Sequence, residues 1–269
     1  MTQKRKNIAL AADYRVESQL ICTIKSICYH NRDIEFYLFN LDFPHEWFSA
    51  LNDQLVKLGC NIRDIKVDVG ELKEFPTFQH IQSEATFYRY FIADVVESHK
   101  VLYLDYDLVV NGSLEPYFDL ELGEKYIAAS VDNLGIHIGG RGKCFNAGVM
   151  VINVDLWKKH RISRQALSLS KEIIHKVPDA DQSILNILFK DRWLELENNF
   201  NYLVGAEVYY INNELTELIS RKENEIPLVV HYNTANKPWK PIYGLPLREL
   251  YWKYYSLNWS DIFQRHISQ

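Results

Sequence analysis

Apolar and polar positions along the first part of the chain switch between two regimes. NIALAA at 7–12 reads as a short apolar strand and IEFYLFN at 34–40 is strand-like. Between them Val16, Leu20, Ile24 and Ile27 recur at helical spacing over Val16–Tyr29, and Pro44 opens a second helical segment that stops at Gly59. Asn61–Val69 reads as a third strand. Strand–helix–strand–helix–strand from the first residues predicts an α/β fold, with a mostly parallel central sheet, right-handed crossovers and flanking helices.

Further on, Ser83–Val96 (SEATFYRYFIADVV) reads as a helix with Ser83 as its N-cap, feeding into the run VLYLDYDLVV at 101–110. Tyr126–Val131 and Ala147–Val154 read as strands, Ser163–His175 and Asp179–Phe189 as helices, Val208–Ile211 and Leu228–His231 as short strands. No repeat, low-complexity tract or linker interrupts the series. The expectation is one domain over residues 1–240, followed by an aromatic helical extension over 241–269.

The run at 101–110 poses a chemical question, because two carboxylates, Asp105 and Asp107, interrupt an otherwise buried segment. Desolvating an isolated carboxylate is costly, so charges rarely enter such a strand without a partner. Side chains two apart in an extended chain point the same way, so both can converge on one point at the carboxyl edge of the sheet. A divalent metal would relieve their repulsion; capping of backbone groups in a turn is the plainer alternative. His231 ends another apolar run, and Lys237 follows six residues later, in a segment stiffened by Pro238 and Pro241. A histidine for a metal and a lysine for a phosphate belong close together, and oxygen ligands with one imidazole favour Mn²⁺ over Mg²⁺.

Composition narrows the function classes. Over 269 residues, 47% apolar and 13% aromatic side chains supply a sizeable core. A formal net charge of -5 argues against nucleic-acid binding. No apolar stretch reaches the roughly 18 residues of a membrane span, and the basic start MTQKRK is followed by too short an apolar segment for a signal peptide. Cys22, Cys28, Cys60 and Cys144 are scattered, as buried reduced thiols would be. A cytoplasmic protein is expected.

Taken in order, the motifs resemble the retaining, nucleotide-sugar-dependent glycosyltransferases of family 8, the group of glycogenin and the bacterial lipopolysaccharide galactosyl- and glucosyltransferases. The resemblance runs from Ile8 to about Trp239. Its pieces are a first strand ending Ala11-Ala12-Asp13, a helix carrying Tyr88-Arg89, the D-x-D pair, FNAGV at 145–149, Asp181-Gln182 and the H-x5-K-P-W element at 231–239. It implies a GT-A-type Rossmann-like domain that moves galactose or glucose from a UDP-sugar to a glycan hydroxyl, on a lipid or protein acceptor, with retention. By the resemblance Ala11, Asp13 and Tyr14 would hold the uridine, and Asp105, Asp107 and His231 would ligate Mn²⁺, or Mg²⁺, against the diphosphate. Lys237 would neutralise a phosphate oxygen. Arg89, Asn146, Ala147, Asp181 and Gln182 would surround the sugar, with Asp132 near the sugar or acceptor. Each has a plainer fate: a surface ion pair for Arg89, a turn for Asn146, a helix cap for Asp181.

Two departures stand out. Thr234 occupies a place where the family usually has glycine against the diphosphate, and the glycine-rich segment 133–141 matches nothing and reads as a mobile lid or acceptor loop. A haloacid-dehalogenase-type phosphatase also uses D-x-D, but on its first strand. A catalytically weak UDP-sugar- or glycan-binding module is the non-enzymatic alternative. For the aromatic C-terminus (Tyr251, Trp252, Tyr254, Tyr255, Trp259, Phe263), packing on the domain is expected; peripheral contact with the inner face of a membrane is the alternative.

Overall fold

A computed structural model describes residues 5–68, 70, 72, 75, 83–139, 142–222 and 224–268. The alternation read from hydropathy is present: β1 (Lys6–Ala11), α1 (Glu17–His30), β2 (Ile34–Asn40), α2 (His45–Leu55) and β3 (Asn61–Lys66) follow in order. Position 69, the end of the third expected strand, lies outside the described residues. β2 is buried at every position, which explains its mostly apolar run, and Glu35 within it is paired with Arg5 and Arg63. Gly59 closes the turn after α2 at φ 70°, where a Cβ would strike Asp33.

β1, β2 and β3 join β4 (Lys100–Leu104), β6 (Ile127–Ser130), β7 (Val149–Asn153) and β8 (Trp193–Leu196) in a seven-stranded sheet of order β3-β2-β1-β4-β7-β6-β8. β1 pairs in parallel with β2 and β4, β2 with β3 and β6 with β8, while β7 runs antiparallel to both neighbours. The sheet is thus mixed but mostly parallel. The reversal of β7 sets Val149 opposite Leu104, so β7 begins at the edge where β4 ends. Residues alternate between two cores, Tyr103, Met150 and Ile152 on one face and Leu102, Leu104, Val149 and Val151 on the other.

Three elements differ from the hydropathy reading. The run 101–110 is two strands: β4 stops at Leu104, the chain bends through 105–107, and β5 (Leu108–Val110) enters a second sheet. That sheet has order β5-β10-β9, with β9 at Tyr202–Leu203 and β10 at Val229–His231. The carboxylates fall in the bend because neither face of a buried sheet could solvate them. Ser83 does cap its helix, accepting the Ala85 N–H, but the first eight residues, Glu84–Phe91, are 3-10 before α3 (Ile92–Val95). Residues 208–211, expected as a strand, lie within a helix, a known ambiguity of short apolar runs.

The helices between are α4 (Glu115–Asp119), α5 (Asn133–Gly139), α6 (Val154–Lys159), α7 (Ile162–Ile173), α8 (Ala180–Leu188) and α9 (Val204–Asn212). At the C-terminus α10 (Arg248–Ser256) and α11 (Trp259–Ile267) lie against α1. Tyr254 Oη meets His30 Nε2 at 2.8 Å and Arg265 Nε donates to the Tyr29 carbonyl at 2.9 Å. Tyr251 and Tyr254 are buried, so packing accounts for them. No described helix is long and apolar enough to cross a membrane. All four cysteines are buried and in the thiol form.

Candidate functional site

Most of the candidate residues meet at the edge where β4 ends and β7 begins. Asp105 donates its N–H to the Gly148 carbonyl at 2.8 Å, and the Asp107 carbonyl accepts the Tyr232 N–H at 3.0 Å. The bend is therefore tied both to the turn before β7 and to the loop after β10. Asp105, Asp107 and His231 consequently present ligand atoms all within 4.8 Å of one another. His231 Nε2 lies 3.1 Å from Asp107 Oδ1 and 3.8 Å from Asp105 Oδ2. Neighbouring ligands of an octahedral ion with bonds of about 2.1 Å sit about 3 Å apart, so the donor set fits a hard divalent cation. Gly148 lines the site closely: a Cβ there would overlap His231 Cε1 and come within 2.6 Å of Asp105 Oδ2.

Lys237 Nζ donates to Asp107 Oδ2 and, at 2.7 Å, to the Tyr232 carbonyl. Burial pushes the Asp107 carboxyl up, but Lys237 and His231 outweigh it and hold the group well below the usual carboxylate range. The carboxylate is thus held as an anion with a cation beside it.

Arg89, buried in the 3-10 segment, is the hub of the other side. Its Nη1 donates to the Ala147 carbonyl at 2.6 Å and its Nη2 to Asp105 Oδ1 at 3.1 Å. Arg89 Nε lies 3.0 Å from Asp181 Oδ2, yet its N–H points to the Thr86 carbonyl, so that contact is ionic without a hydrogen bond. Thr86 Oγ1 donates to Asp181 Oδ1 at 2.5 Å. Burial raises the Asp181 carboxyl, with Arg89 as the main opposing influence. Ala180, at φ 40°, is strained where the chain turns into α8 to present Asp181 and Gln182.

Gln182 Oε1 accepts the Ala147 N–H at 3.0 Å and Asn146 Nδ2 at 3.1 Å, and Gln182 Nε2 donates to Asp132 Oδ2 at 2.8 Å. Asp132 Oδ1 accepts the Gly135 N–H at 3.0 Å, capping α5. The glycine-rich segment expected as a lid is therefore helical over Asn133–Gly139, while residues 140 and 141 lie outside the described residues. Asp105 and Asp181 pair with Arg89 and Asp107 with Lys237, while Asp132 is held by the Gly135 N–H and by Gln182. In formal charge the four carboxylates outnumber the two cations by two, an excess that suits a dication.

The remaining candidates sit apart from this cluster. Leu10 pairs with Leu104, which places Ala11 beside the bend. Asp13 accepts the Arg15 N–H at 3.0 Å; burial pushes its carboxyl up, but Arg15 and Ser83 together hold it lower. Tyr106, the middle residue of the D-x-D, has its hydroxyl raised by burial and then by Asp107, Asp105 and Asp13. Tyr14 is exposed, edge-on to Phe43 at 5.2 Å. Thr234 does not join the cluster: its Cγ2 fills the space a Cβ on Gly205 would take, and its Oγ1 accepts the Asn236 N–H at 3.3 Å.

A family profile, that of glycosyl transferase family 8, matches residues 7–242. The chain belongs to glycosyl transferase family 8. Glycosyltransferase GlyF of Streptococcus pneumoniae is 40% identical over 262 residues, 97% of this chain and 64% of GlyF. The crystal structure of glycosyltransferase GlyE from the same organism superposes with a TM-score of 0.86 at 34% identity, over 99% of this chain and 64% of GlyE. The galactosyltransferase LgtC, crystallised with donor and acceptor sugar analogues, gives 0.78 at 26% identity over 93% and 95%. The chain thus spans under two thirds of the length of GlyF and GlyE.

Several residues of this family 8 site were not singled out from sequence. Tyr103 Oη donates to Asp105 Oδ1 at 2.6 Å, and its place two before Asp105 on the same strand face was a usable signal. Thr86 and Arg89 stand one turn apart, which hints at shared work. Asn201, which meets His231 Nδ1 at 3.0 Å, comes from a polar segment with no signal at all.

Proposed function

We propose that the chain is a retaining hexosyltransferase that takes galactose or glucose from a UDP-sugar and passes it to a hydroxyl of a glycan acceptor, with Mn²⁺ as the preferred metal. The observation that carries this reading is the convergence of Asp105, Asp107 and His231 within 4.8 Å, with Lys237 on the same carboxylate. Bound Mn²⁺ would supply charge for the diphosphate leaving group. Lys237, beside Asp107, would offer its ammonium to a phosphate oxygen and stabilise charge that grows as the glycosidic bond breaks. Ala11, Asp13 and Tyr14 would bind uridine beside β1. Arg89 would hold Asp105 and the backbone around Ala147 in register, and Asn146, Ala147, Gln182 and Asp132 would line the sugar.

Retention by double displacement needs a free carboxylate under the anomeric carbon. Asp181 is buried, one oxygen on Thr86 and the other beside Arg89, and both Asp132 oxygens accept hydrogen bonds. This favours same-face substitution, with departing UDP helping to deprotonate the incoming hydroxyl. The acceptor would be a carbohydrate on a lipid or protein.

The test is UDP release from a panel of UDP-sugars with Mn²⁺, with EDTA and with Asp107→Asn. Metal-dependent release from one or two hexoses, lost in the variant, is expected. Retained binding of UDP-sugar with no turnover, with or without glycan acceptors, would make the chain a binding module instead.

A further inference from the structure

The orientation of the amide side chains in the site is dictated by backbone donors, and it has a consequence for His231. Amide oxygens and nitrogens are told apart by their partners. The Ala147 N–H can only donate, so the Gln182 atom that meets it is Oε1. The Gly148 N–H, at 3.0 Å, likewise requires Oδ1 of Asn146. Asn201 approaches that same oxygen at 2.9 Å and must do so with Nδ2. Its Oδ1 therefore faces His231 Nδ1 at 3.0 Å, and because an amide oxygen only accepts, Nδ1 carries the hydrogen. Nε2 is the nitrogen aimed at Asp105 and Asp107, 3.1 Å from the acceptor Asp107 Oδ1, where a bound cation would take the place of a shared hydrogen.

The result is a one-way chain of donors, His231 to Asn201 to Asn146 to Gln182 to Asp132, running from the metal ligands to the far carboxylate. Every link is at most 3.1 Å, and Asn201 is only 1% exposed, so water does not substitute for it. We propose that Asn201 is a positioning residue that locks His231 in the tautomer whose Nε2 lone pair binds the metal, and that it orients Asn146 in the same act. The inference rests on the metal reading above. Histidine ligands commonly give their second N–H to an outer partner, whose loss weakens metal binding by roughly 10- to 100-fold.

The test measures Mn²⁺ affinity directly, by the EPR signal of free Mn²⁺ titrated against wild type, Asn201→Leu and Asn201→Asp, without donor sugar. Asn201→Leu removes the acceptor and should weaken Mn²⁺ binding by roughly 10- to 100-fold. Asn201→Asp keeps an acceptor for Nδ1–H and should stay within about threefold of wild type, while its lost donation to Asn146 shows as reduced turnover. Equal affinities for Asn201→Leu and wild type, or equal losses in both variants, would overturn the proposal. Long-range ¹H–¹⁵N spectra of the Mg²⁺-loaded wild type need no variant to fold: a proton on His231 Nδ1 supports the lock, and one on Nε2 overturns it. Wild type that binds neither Mn²⁺ nor Mg²⁺ would instead overturn the metal reading, and this inference with it.

Discussion

Replacing Arg89 by methionine removes a cation from between two carboxylates, and its cost follows from what is left behind. Asp181 would keep a 2.5 Å bond from Thr86 but would have lost its only ion-pair partner among the described residues, with its side chain 4% exposed. Breaking a buried pair by deleting one partner costs about 3–5 kcal/mol, because the other charge stays buried and uncompensated. At about 2–4 °C per kcal/mol for a chain approaching this size, Tm should fall by about 6–20 °C. The pH dependence gives a sharper check. Burial already raises the Asp181 carboxyl in the fold, and Arg89 is its strongest opponent. Without Arg89 the carboxyl rises further, so the folded variant binds a proton at a pH where the unfolded chain does not. Stability of Arg89→Met relative to wild type should then recover as pH falls. Calorimetry between pH 8 and pH 5 would show the two melting curves converging, and adding Asp181→Asn to Arg89→Met should restore part of the loss at pH 8. A deficit under about 3 °C, or one that stays constant across this range, would refute the account of Arg89 as compensation for a buried charge.

Other consequences are more local. Gly148→Ala should leave the fold intact by circular dichroism but weaken Mn²⁺ binding at least about tenfold, because the new Cβ must displace the His231 ring and Asp105 Oδ2; unchanged affinity in an EPR titration would count against the close fit. His30, wedged beside Tyr254, has its pKa lowered to about 4 by burial first and then by Arg265, Lys253 and His266. Below the unfolded value of about 6.5 the unfolded chain takes up the proton and the fold refuses it, so stability should fall as pH drops from 6.5 toward 4. Thermal melts of His30→Gln should show a shallower fall over that window; parallel curves would contradict it.

How far the site could be read from sequence depended on the kind of signal. Period and run length carried β1, β2 and the helices α1 and α2, because largely buried strands leave mostly apolar runs, while β3 (NIRDIK), only partly buried, followed from its place in the alternation. The same signal failed at 208–211, where four apolar-leaning residues suit a strand or a helix equally and tertiary packing chose the helix α9. It also joined β4 to β5, since apolarity does not change when a chain leaves one sheet for another. Charge was the better guide there: two aspartates in an apolar run meant that the run had to open somewhere, and it opens at 105–107. Arg89, Asp181 and Gln182 were identified through family resemblance, as no local pattern separates a buried arginine from a surface one. Asn201 lay beyond both routes, because its importance comes only from a neighbour thirty residues away.

These residues also explain why so polar a cluster survives in a folded interior. Its ion pairs join different elements: Arg89 from the 3-10 segment meets Asp105 from the bend and Asp181 from α8, and Lys237 from the loop beyond β10 meets Asp107. The site therefore joins the main sheet to the small one, and its assembly depends on both. Among the described residues the cluster's four carboxylates still outnumber Arg89 and Lys237 by two, an excess that favours a bound dication. Binding a dication there would add stability in proportion to the logarithm of its concentration over Kd. On the proposed function, a dication bound at this excess of negative charge would in turn meet the charge of the diphosphate leaving group.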